Sequence, residues 1–321
     1  MVSGRRRFFG AAFLFWGDYY VPDVQKIDGA RRQHVKRNST NSEIWPAAFA
    51  ILALLISASS TFAQGHLQGP HSVVTLLSDR ASLVPGGRVW VGVWFRMEKG
   101  WHIYWVNPGD SGEPPKIRWQ LPLGFQVGSI EWPTPEKLTA PSIVDYGYEN
   151  DVLLISPLTA PVSAKNGEEA TIAAKVSWLV CRDICIPGKG QVSLTLPVKS
   201  AIRGWKGSAS SADVAMLLGA RSKVPKRPPG AWKISAASDQ DDFVLNVETG
   251  KRENAATFFP LEPEQIKNSA SQTATPFSRG VRLRLRKSDG LLKPISALRG
   301  VLVFGSGRAY EIAAPMKQTS R

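Results

Sequence analysis

Short apolar runs with a two-residue period, separated by turn-forming clusters, are the feature that most constrains the fold of this 321-residue chain. The run Arg88–Met97 (RVWVGVWFRM) places three valines and a phenylalanine at every second position, which is the period of a half-buried β-strand. Clusters such as Pro85-Gly86-Gly87 and Lys165-Asn166-Gly167 fall between the runs, and these residue types favour turns. The pattern predicts an all-β protein.

The alternating runs beyond residue 63 fall into two groups. The first group predicts a β-sandwich over residues 64–203, because about eight short strands with turns at near-regular spacing are typical of that architecture. Its predicted strands are Ser72–Ser78, Arg88–Met97, Trp101–Val106, Ile117–Gln120, Phe125–Trp132, Val152–Leu158, Thr171–Trp178 and Gln191–Val198.

The second group follows a predicted helix and linker, which together occupy residues 204–230. The helix is expected at Ser211–Ala220 with Ser210 or Ser211 as its cap, and the linker Lys223–Gly230 is expected to be stiff and exposed. Residues 231–318 are then predicted to form a second, smaller β-sandwich-like domain. Its predicted strands are Trp232–Ala236, Phe243–Thr249, Thr257–Phe259, Val281–Arg286, Val301–Phe304 and Ala309–Ala313.

Residues 1–63 are interpreted as a targeting region. The apolar run Trp45–Ala58 is too short for a membrane span, basic residues precede it, and small residues follow it up to Ala63. This order predicts a secretory signal peptide at about residues 35–63, cleaved near Ala63, with an uncleaved anchor as the alternative. The segment upstream is interpreted as a start-site artefact. We therefore expect an exported, periplasmic protein without an integral membrane segment in its mature form.

The charge pattern argues against one class of partner. The formal net charge is +14, but the basic residues are spread out and form no stripe interleaved with aromatic residues. Such a stripe is the usual footprint of nucleic-acid binding, so no nucleic-acid partner is predicted. No cofactor is predicted either.

The only two cysteines, Cys181 and Cys185, are the main candidates for chemistry. Four residues of extended strand span about 13 Å, whereas a disulfide requires Cα atoms within roughly 4.4–6.8 Å. A bond between them therefore requires the chain to fold back. A strand that ends near Val180 and a tight turn at residues 182–184 would achieve this.

Three roles for the pair remain open from the residues alone. A structural clip is common in exported proteins, but a loop of about five residues gains only ~2 kcal/mol from such a bond. Short bridges borne on turns are more often exposed and reducible, and Arg182 could favour a thiolate, which supports a redox role. A soft-metal site, such as one for Cu(I), would need a further ligand such as His102.

Four motifs in the first group of strands carry a resemblance to a known family. They are Gly100–Gly112 (GWHIYWVNPGDSG), Trp132–Pro135 (WPTP), Asp145–Glu149 (DYGYE) and Trp178–Pro187 (WLVCRDICIP). Together they resemble the N-terminal periplasmic domain of DsbD-type thiol:disulfide interchange proteins, including the copper-tolerance ScsB group. The three-residue spacing between the cysteines is like that of the ScsB group.

The resemblance implies an immunoglobulin-like sandwich in which the cysteine pair accepts electrons and passes them to periplasmic partners. Cys181 and Cys185 would be that pair, with Cys185 expected to attack the partner. A cap loop would shield the pair, formed here by Asp145, Tyr146 and Gly147 with Tyr148 beside them, and Tyr146 would be the shielding ring. Asp145 is also a candidate proton shuttle.

The predicted function is therefore periplasmic thiol–disulfide exchange through Cys181 and Cys185. The expected partners are thioredoxin-like or disulfide isomerase proteins and, because no multi-helix membrane domain or Cys-x-x-Cys motif follows in this sequence, a separate membrane electron donor. Cytochrome c biogenesis and copper tolerance are the processes that the resemblance implies. The alternatives are a non-enzymatic adaptor with a structural disulfide and a copper-handling protein that uses the thiols as Cu(I) ligands.

Overall fold

The computed structural model describes residues 65–141, 143–200 and 210–317. The predicted targeting region and its cleavage site near Ala63 lie outside the described residues. Within the described part, no helix is both long enough and apolar enough to cross a membrane.

The first region is a sandwich of two antiparallel sheets. One sheet has the strand order β1-β2-β3-β9-β6, and the other has the order β11-β10-β4-β8-β7 with β5 paired to β10. The strands are β1 His66–Gly69, β2 Ser72–Ser78, β3 Arg88–Met97, β4 His102–Gly109, β5 Lys116–Gln120, β6 Gln126–Val127, β7 Glu136–Thr139, β8 Val144–Glu149, β9 Asp151–Thr159, β10 Glu169–Cys181 and β11 Cys185–Pro197.

Strand β3 shows why the sequence forms this sandwich. Val91, Val93 and Phe95 are fully buried between the two sheets. On the other face of the same sheet, Trp90 and Trp94 pack against the helix α1, Ser211–Lys223. Alternate residues of one strand thus fill two different apolar layers. The helix begins as predicted, with the Ser210 hydroxyl accepting a hydrogen bond from the Asp213 backbone N–H.

The second region consists of two smaller antiparallel sheets with the orders β12-β13-β16-β15 and β14-β17-β18. In β16, Val281, Leu283 and Leu285 are fully buried while the arginines between them are exposed, which confirms the predicted alternation. The strands are β12 Lys233–Asp239, β13 Asp242–Glu248, β14 Ala256–Pro260, β15 Thr273–Phe277, β16 Gly280–Arg286, β17 Ala297–Phe304 and β18 Ala309–Pro315.

The two regions are packed against each other. Phe259 and Val301 of the second region belong to the core cluster of the first. The Asn107 side chain is buried and donates hydrogen bonds to the carbonyls of Pro260 and Glu262, at 2.8 and 3.3 Å. The shared core and these buried hydrogen bonds hold the regions in one arrangement.

Two predicted strands differ from the observed ones. The predicted strand Phe125–Trp132 is reduced to Gln126–Val127 and an isolated bridge at Glu131. Strand β4 extends past its predicted end at Val106 and reaches Gly109 through an irregularity in its register. The linker Lys223–Gly230 is largely exposed, and the Lys226 backbone pairs with β18 through Ala309 and Glu311.

Candidate functional site

The cysteines lie at the tip of the hairpin formed by β10 and β11. Cys181 is the last residue of β10, Cys185 is the first of β11, and the two are register partners with Cα atoms 4.2 Å apart. They form a disulfide, and the Arg182 N–H donates to the Ile184 carbonyl at 3.1 Å to close the turn. The predicted fold-back of the chain is confirmed.

The disulfide lies on the outer face of its sheet. Val176, Trp178 and Val180 of β10 point into the core and are buried, so Cys181 projects to the opposite side. Cys181 is nevertheless only 2% exposed, whereas Cys185 is exposed and Ile184 is 65% exposed. Cys185 is thus accessible to a partner protein, whereas Cys181 is buried.

Four residues from four adjacent strands form a row that includes the disulfide. Glu149 of β8 pairs with His102 of β4, His102 pairs with Cys181, and Cys181 pairs with Cys185. Directly opposite residues of antiparallel strands project from the same face of a sheet. The register therefore aligns a carboxylate, an imidazole and the two sulfurs; we call Glu149, His102, Cys181 and Cys185 the cross-strand row.

His102 has an unusual environment within the cross-strand row. Its Nε2 atom is buried and has no hydrogen-bond partner among the described residues. Its ring packs edge-on against Tyr104, with ring centroids 5.4 Å apart. Burial lowers the pKa of His102, and the negative charges of Asp145 and Glu149 oppose this shift without reversing it. The imidazole is therefore held neutral at neutral pH.

Tyr104 is the aromatic residue that contacts the disulfide. Its hydroxyl lies 3.4 Å from Cys185 Sγ and donates, since a disulfide sulfur carries no hydrogen. Burial raises the pKa of Tyr104, a hydrogen bond with Ser111 opposes the rise, and Asp145 adds to it. A Cβ atom on Gly112 would lie 2.1 Å from the ring carbon Cζ, so this loop packs closely over the ring.

Arg182 contributes positive charge beside the pair. Its Nε donates to Asp183 Oδ2 at 3.0 Å, and its guanidinium lies 5.1 Å from the centroid of the Trp101 ring. Trp101 in turn stacks on His71 at 3.8 Å. The arginine is thus held next to the hairpin tip by an aromatic platform rather than left free in solvent.

Comparisons with known proteins agree with this geometry. Residues 74–197 match the family model "Thiol:disulfide interchange protein DsbD, N-terminal". These residues form a DsbD-type N-terminal domain. A comparison with curated proteins finds no match.

The DsbD-type domain and the second region together share their fold with a solved structure, the N-terminal periplasmic domain of ScsB from Proteus mirabilis. The TM-score is 0.59 at 19% identity, over 80% of this chain and 98% of that one. The YadV chaperone aligns at 12% identity over 75% of this chain and 98% of that one, with a TM-score of 0.19. The periplasmic chaperone SfaE gives the same score at 11% identity, over 76% and 100%. Scores of this size do not establish a shared fold.

The residues predicted as a cap loop of the DsbD-type domain occupy a different structure. Asp145, Tyr146, Gly147 and Tyr148 all lie in strand β8 rather than in a loop. Gly147 is the register partner of Tyr104, so the alternation of the strand directs Tyr146 and Tyr148 to the inner face, away from the disulfide. The prediction of a loop was wrong because β8 pairs on both sides, with β4 and with β7.

The two tyrosines of β8 instead support the interior. The fully buried Tyr146 donates from its hydroxyl to Asn268 Oδ1 at 2.9 Å, and burial raises its pKa. Tyr148 donates to the Pro133 carbonyl at 2.7 Å, and burial raises its pKa well above the ordinary value. Among the described residues, Tyr104 rather than Tyr146 is the tyrosine whose hydroxyl contacts the disulfide.

Asp145 is connected to the disulfide indirectly. Its carboxylate accepts hydrogen bonds at 2.8 Å from both the backbone N–H and the hydroxyl of Ser111, which in turn lies beside the Tyr104 hydroxyl. Among the described residues, no cluster of three or more His, Cys, Asp or Glu side chains is suited to hold a metal ion. Sequence reasoning underrated His102 and Tyr104, although their two-residue separation on a predicted strand places them on one face.

Proposed function

We propose that this chain is a periplasmic thiol–disulfide exchange protein that passes reducing equivalents from Cys181 and Cys185 to partner proteins. The observation that carries the proposal is the exposed Cys185 above the buried Cys181 on the outer face of a DsbD-type domain. The proposed partners are thioredoxin-like or disulfide isomerase proteins, with a separate membrane protein as the electron donor.

In the proposed reaction, the Cys185 thiolate of the reduced pair attacks one sulfur of a partner disulfide. A Cys185–partner mixed disulfide forms, and the partner's other sulfur leaves as a thiolate and takes up a proton. The Cys181 thiolate then attacks Cys185 Sγ, the internal disulfide forms, and the partner departs as a dithiol. Two electrons pass from this protein to the partner.

The hairpin itself argues against a purely structural disulfide. Beyond the cysteines, β10 and β11 are joined by a continuous antiparallel register from Glu169–Pro197 to Val180–Ile186. A bond across a five-residue loop at the end of this ladder restricts the unfolded chain by only ~2 kcal/mol. The first region has a large buried core, so such a bond adds little to its stability.

The test compares the two single-cysteine variants with a thioredoxin-like protein whose cysteine pair is oxidised. Cys181→Ser should accumulate a mixed disulfide through the exposed Cys185, and Cys185→Ser should form far less of it because its remaining thiol is buried. The reduction potential of the wild-type pair should lie above about −300 mV.

Two outcomes would overturn the proposed function. The first is a potential below about −300 mV, which is the range of inert structural bonds. The second is a failure of both variants to form any mixed disulfide.

A further inference from the structure

His102 is placed to move a proton in the second half of the exchange reaction. We propose that His102 is the general base for Cys181, the thiol that resolves the mixed disulfide; this inference rests on the function proposed above. The cross-strand row supplies the geometry, because His102 and Cys181 are register partners on the same face.

Strand register and burial both favour proton transfer between these two residues. Directly opposite residues of antiparallel strands have Cβ atoms about 4.5–5.5 Å apart. Cys181 is 2% exposed, so water has little access to its sulfur, and a base supplied by the protein is needed. His102 is the neighbour in the adjacent strand that carries a titratable nitrogen.

The unpartnered Nε2 atom of His102 is the second, independent observation. A buried polar atom without a hydrogen bond costs free energy, and such atoms call for an explanation. In the oxidised form the neighbouring sulfur has no hydrogen to donate. Reduction creates an S–H group on Cys181 beside the imidazole, so the nitrogen that lacks a partner in one redox form gains a donor in the other.

The charged and titratable groups around His102 favour a neutral base that becomes protonated during the reaction. Glu149 and Asp145 approach from β8, Tyr104 lies on the same strand, and Cys181 approaches from β10. Burial keeps the free imidazole neutral, as a proton acceptor must be. The two carboxylates stabilise the imidazolium once the proton has moved.

The proposed step is balanced in atoms and charge. The Cys181 S–H bond breaks and its proton moves to His102 Nε2. The resulting thiolate attacks Cys185 Sγ, so the Cys181–Cys185 bond forms and the bond between Cys185 and the partner sulfur breaks. The partner sulfur leaves as a thiolate and takes a proton from the imidazolium or from water.

The chromogenic disulfide 5,5′-dithiobis(2-nitrobenzoate) separates the two halves of the reaction in the full chain. Attack by Cys185 on the probe releases the first coloured thiolate at a rate that depends on probe concentration. Attack by Cys181 on the mixed disulfide releases the second coloured thiolate at a rate that is independent of probe concentration. We expect His102→Gln to slow the second phase about 100-fold at pH 7 and to leave the first phase within about twofold.

His66→Gln is the matched control, because His66 lies on β1, bonds to Thr75 and is outside the cross-strand row. It should leave both phases unchanged. Glu149→Gln should slow the second phase less than His102→Gln does, since it removes charge stabilisation and not the base.

The pH profile of the wild-type protein tests the inference without any variant. With a neutral imidazole as base, the second-phase rate should level off by about pH 7, because His102 titrates below 6.5. Without a base it should continue to rise towards the ordinary thiol pKa of about 8.5. A continued rise, or an unchanged second phase in His102→Gln, would overturn the role of His102 while leaving the exchange function intact. Absence of the first phase from the wild-type protein would instead contradict the exchange function.

Discussion

The two β-regions of this chain are both built from antiparallel sheets, but an outer sheet face of one carries different polar groups from an outer sheet face of the other. In the second region, two exposed arginines of β16 form ion pairs: Arg284 with Asp239 and Asp242, and Arg286 with Asp241 and Asp242. On the outer face of the first region, His102 Nε2 is buried without a partner beside the disulfide. Other buried atoms of the described residues also have no hydrogen-bond partner, on Trp105, Ser156, Glu262 and Gln265, so His102 Nε2 is distinguished by its position beside the disulfide.

The two faces differ in chemistry, because the face of the first region places a titratable nitrogen beside a disulfide. Pairs such as Arg284–Asp242 are exposed and contribute little to folding. A buried nitrogen without a hydrogen bond lowers stability, and such costs are typical of sites where chemistry takes place. From this comparison we predict an assignment of chemistry to the first region and of structural support to the second.

The largest expected effect tests that assignment through the core of the second region. Leu283→Ala removes a fully buried side chain, and we expect it to lower the free energy of unfolding by about 3 kcal/mol. If the second region only supports the fold, the first-phase rate with 5,5′-dithiobis(2-nitrobenzoate) stays within about twofold of wild type. Urea unfolding and the probe reaction measure the two quantities. A large loss of rate with folded protein would show that the second region takes part in the chemistry.

A smaller effect is expected at Gly112, which packs against the Tyr104 ring. A Cβ atom there would overlap the ring, and the residue has a φ of 77°, so Gly112→Ala should lower the free energy of unfolding by about 2 kcal/mol. It should also change the first-phase rate, because displacing the ring moves its hydroxyl away from Cys185.

Gly167→Ala is the matched control for Gly112→Ala. It also has a positive φ, of 90°, but its side-chain position is open space. It should lose only about 1 kcal/mol from backbone strain and keep the wild-type rate. Equal rate changes in both variants would contradict a special role for the Gly112 contact.

The smallest expected effect is a dependence of the free energy of unfolding on pH. It involves a histidine of the first region, because the second region contains no histidine. The pKa of His102 is lowered in the folded oxidised protein, so the unfolded chain binds a proton at a higher pH than the folded one does. The contribution of His102 to the free energy of unfolding is therefore complete above pH 6.5, and it is lost as the pH falls towards the pKa of His102 in the folded protein. Urea unfolding from pH 7.5 to 5 should show this fall, and His102→Gln should reduce it. An equal fall in the variant would assign the pH dependence to other groups.

Where alternation was strong, the sequence was sufficient to predict the strands. Strand β3 was predicted with its observed limits because valines and aromatic residues alternate without interruption. Strand β8 was missed because Asp145 and Gly147 are turn-forming residue types, and its pairing with β4 and β7 overrode that local preference. The predicted strand at Phe125–Trp132 shows the opposite case. Its residue types favour a strand, but most of its backbone has no neighbouring strand to pair with.

The candidate site was predictable only in part. The fold-back at Cys181 and Cys185 followed from covalent geometry, which local sequence contains. The position of His102 beside Cys181 depends on the long-range pairing of β4 with β10, and no local pattern encodes it. The same holds for Tyr104, whose contact with Cys185 became visible only when the register was known.

The ladder beneath the hairpin tip has a consequence for how the protein would complete a redox cycle. We expect the pairs from Glu169–Pro197 to Val180–Ile186 to stay in place when the Cys181–Cys185 bond opens, because they are held by their own backbone register, so that neither form has to refold to become the other. The equilibrium between the disulfide and the dithiol is then governed by atoms within a few ångströms of the two sulfurs. A partner would meet nearly the same surface before and after the reaction, and its departure would depend on the broken covalent bond rather than on a change of shape.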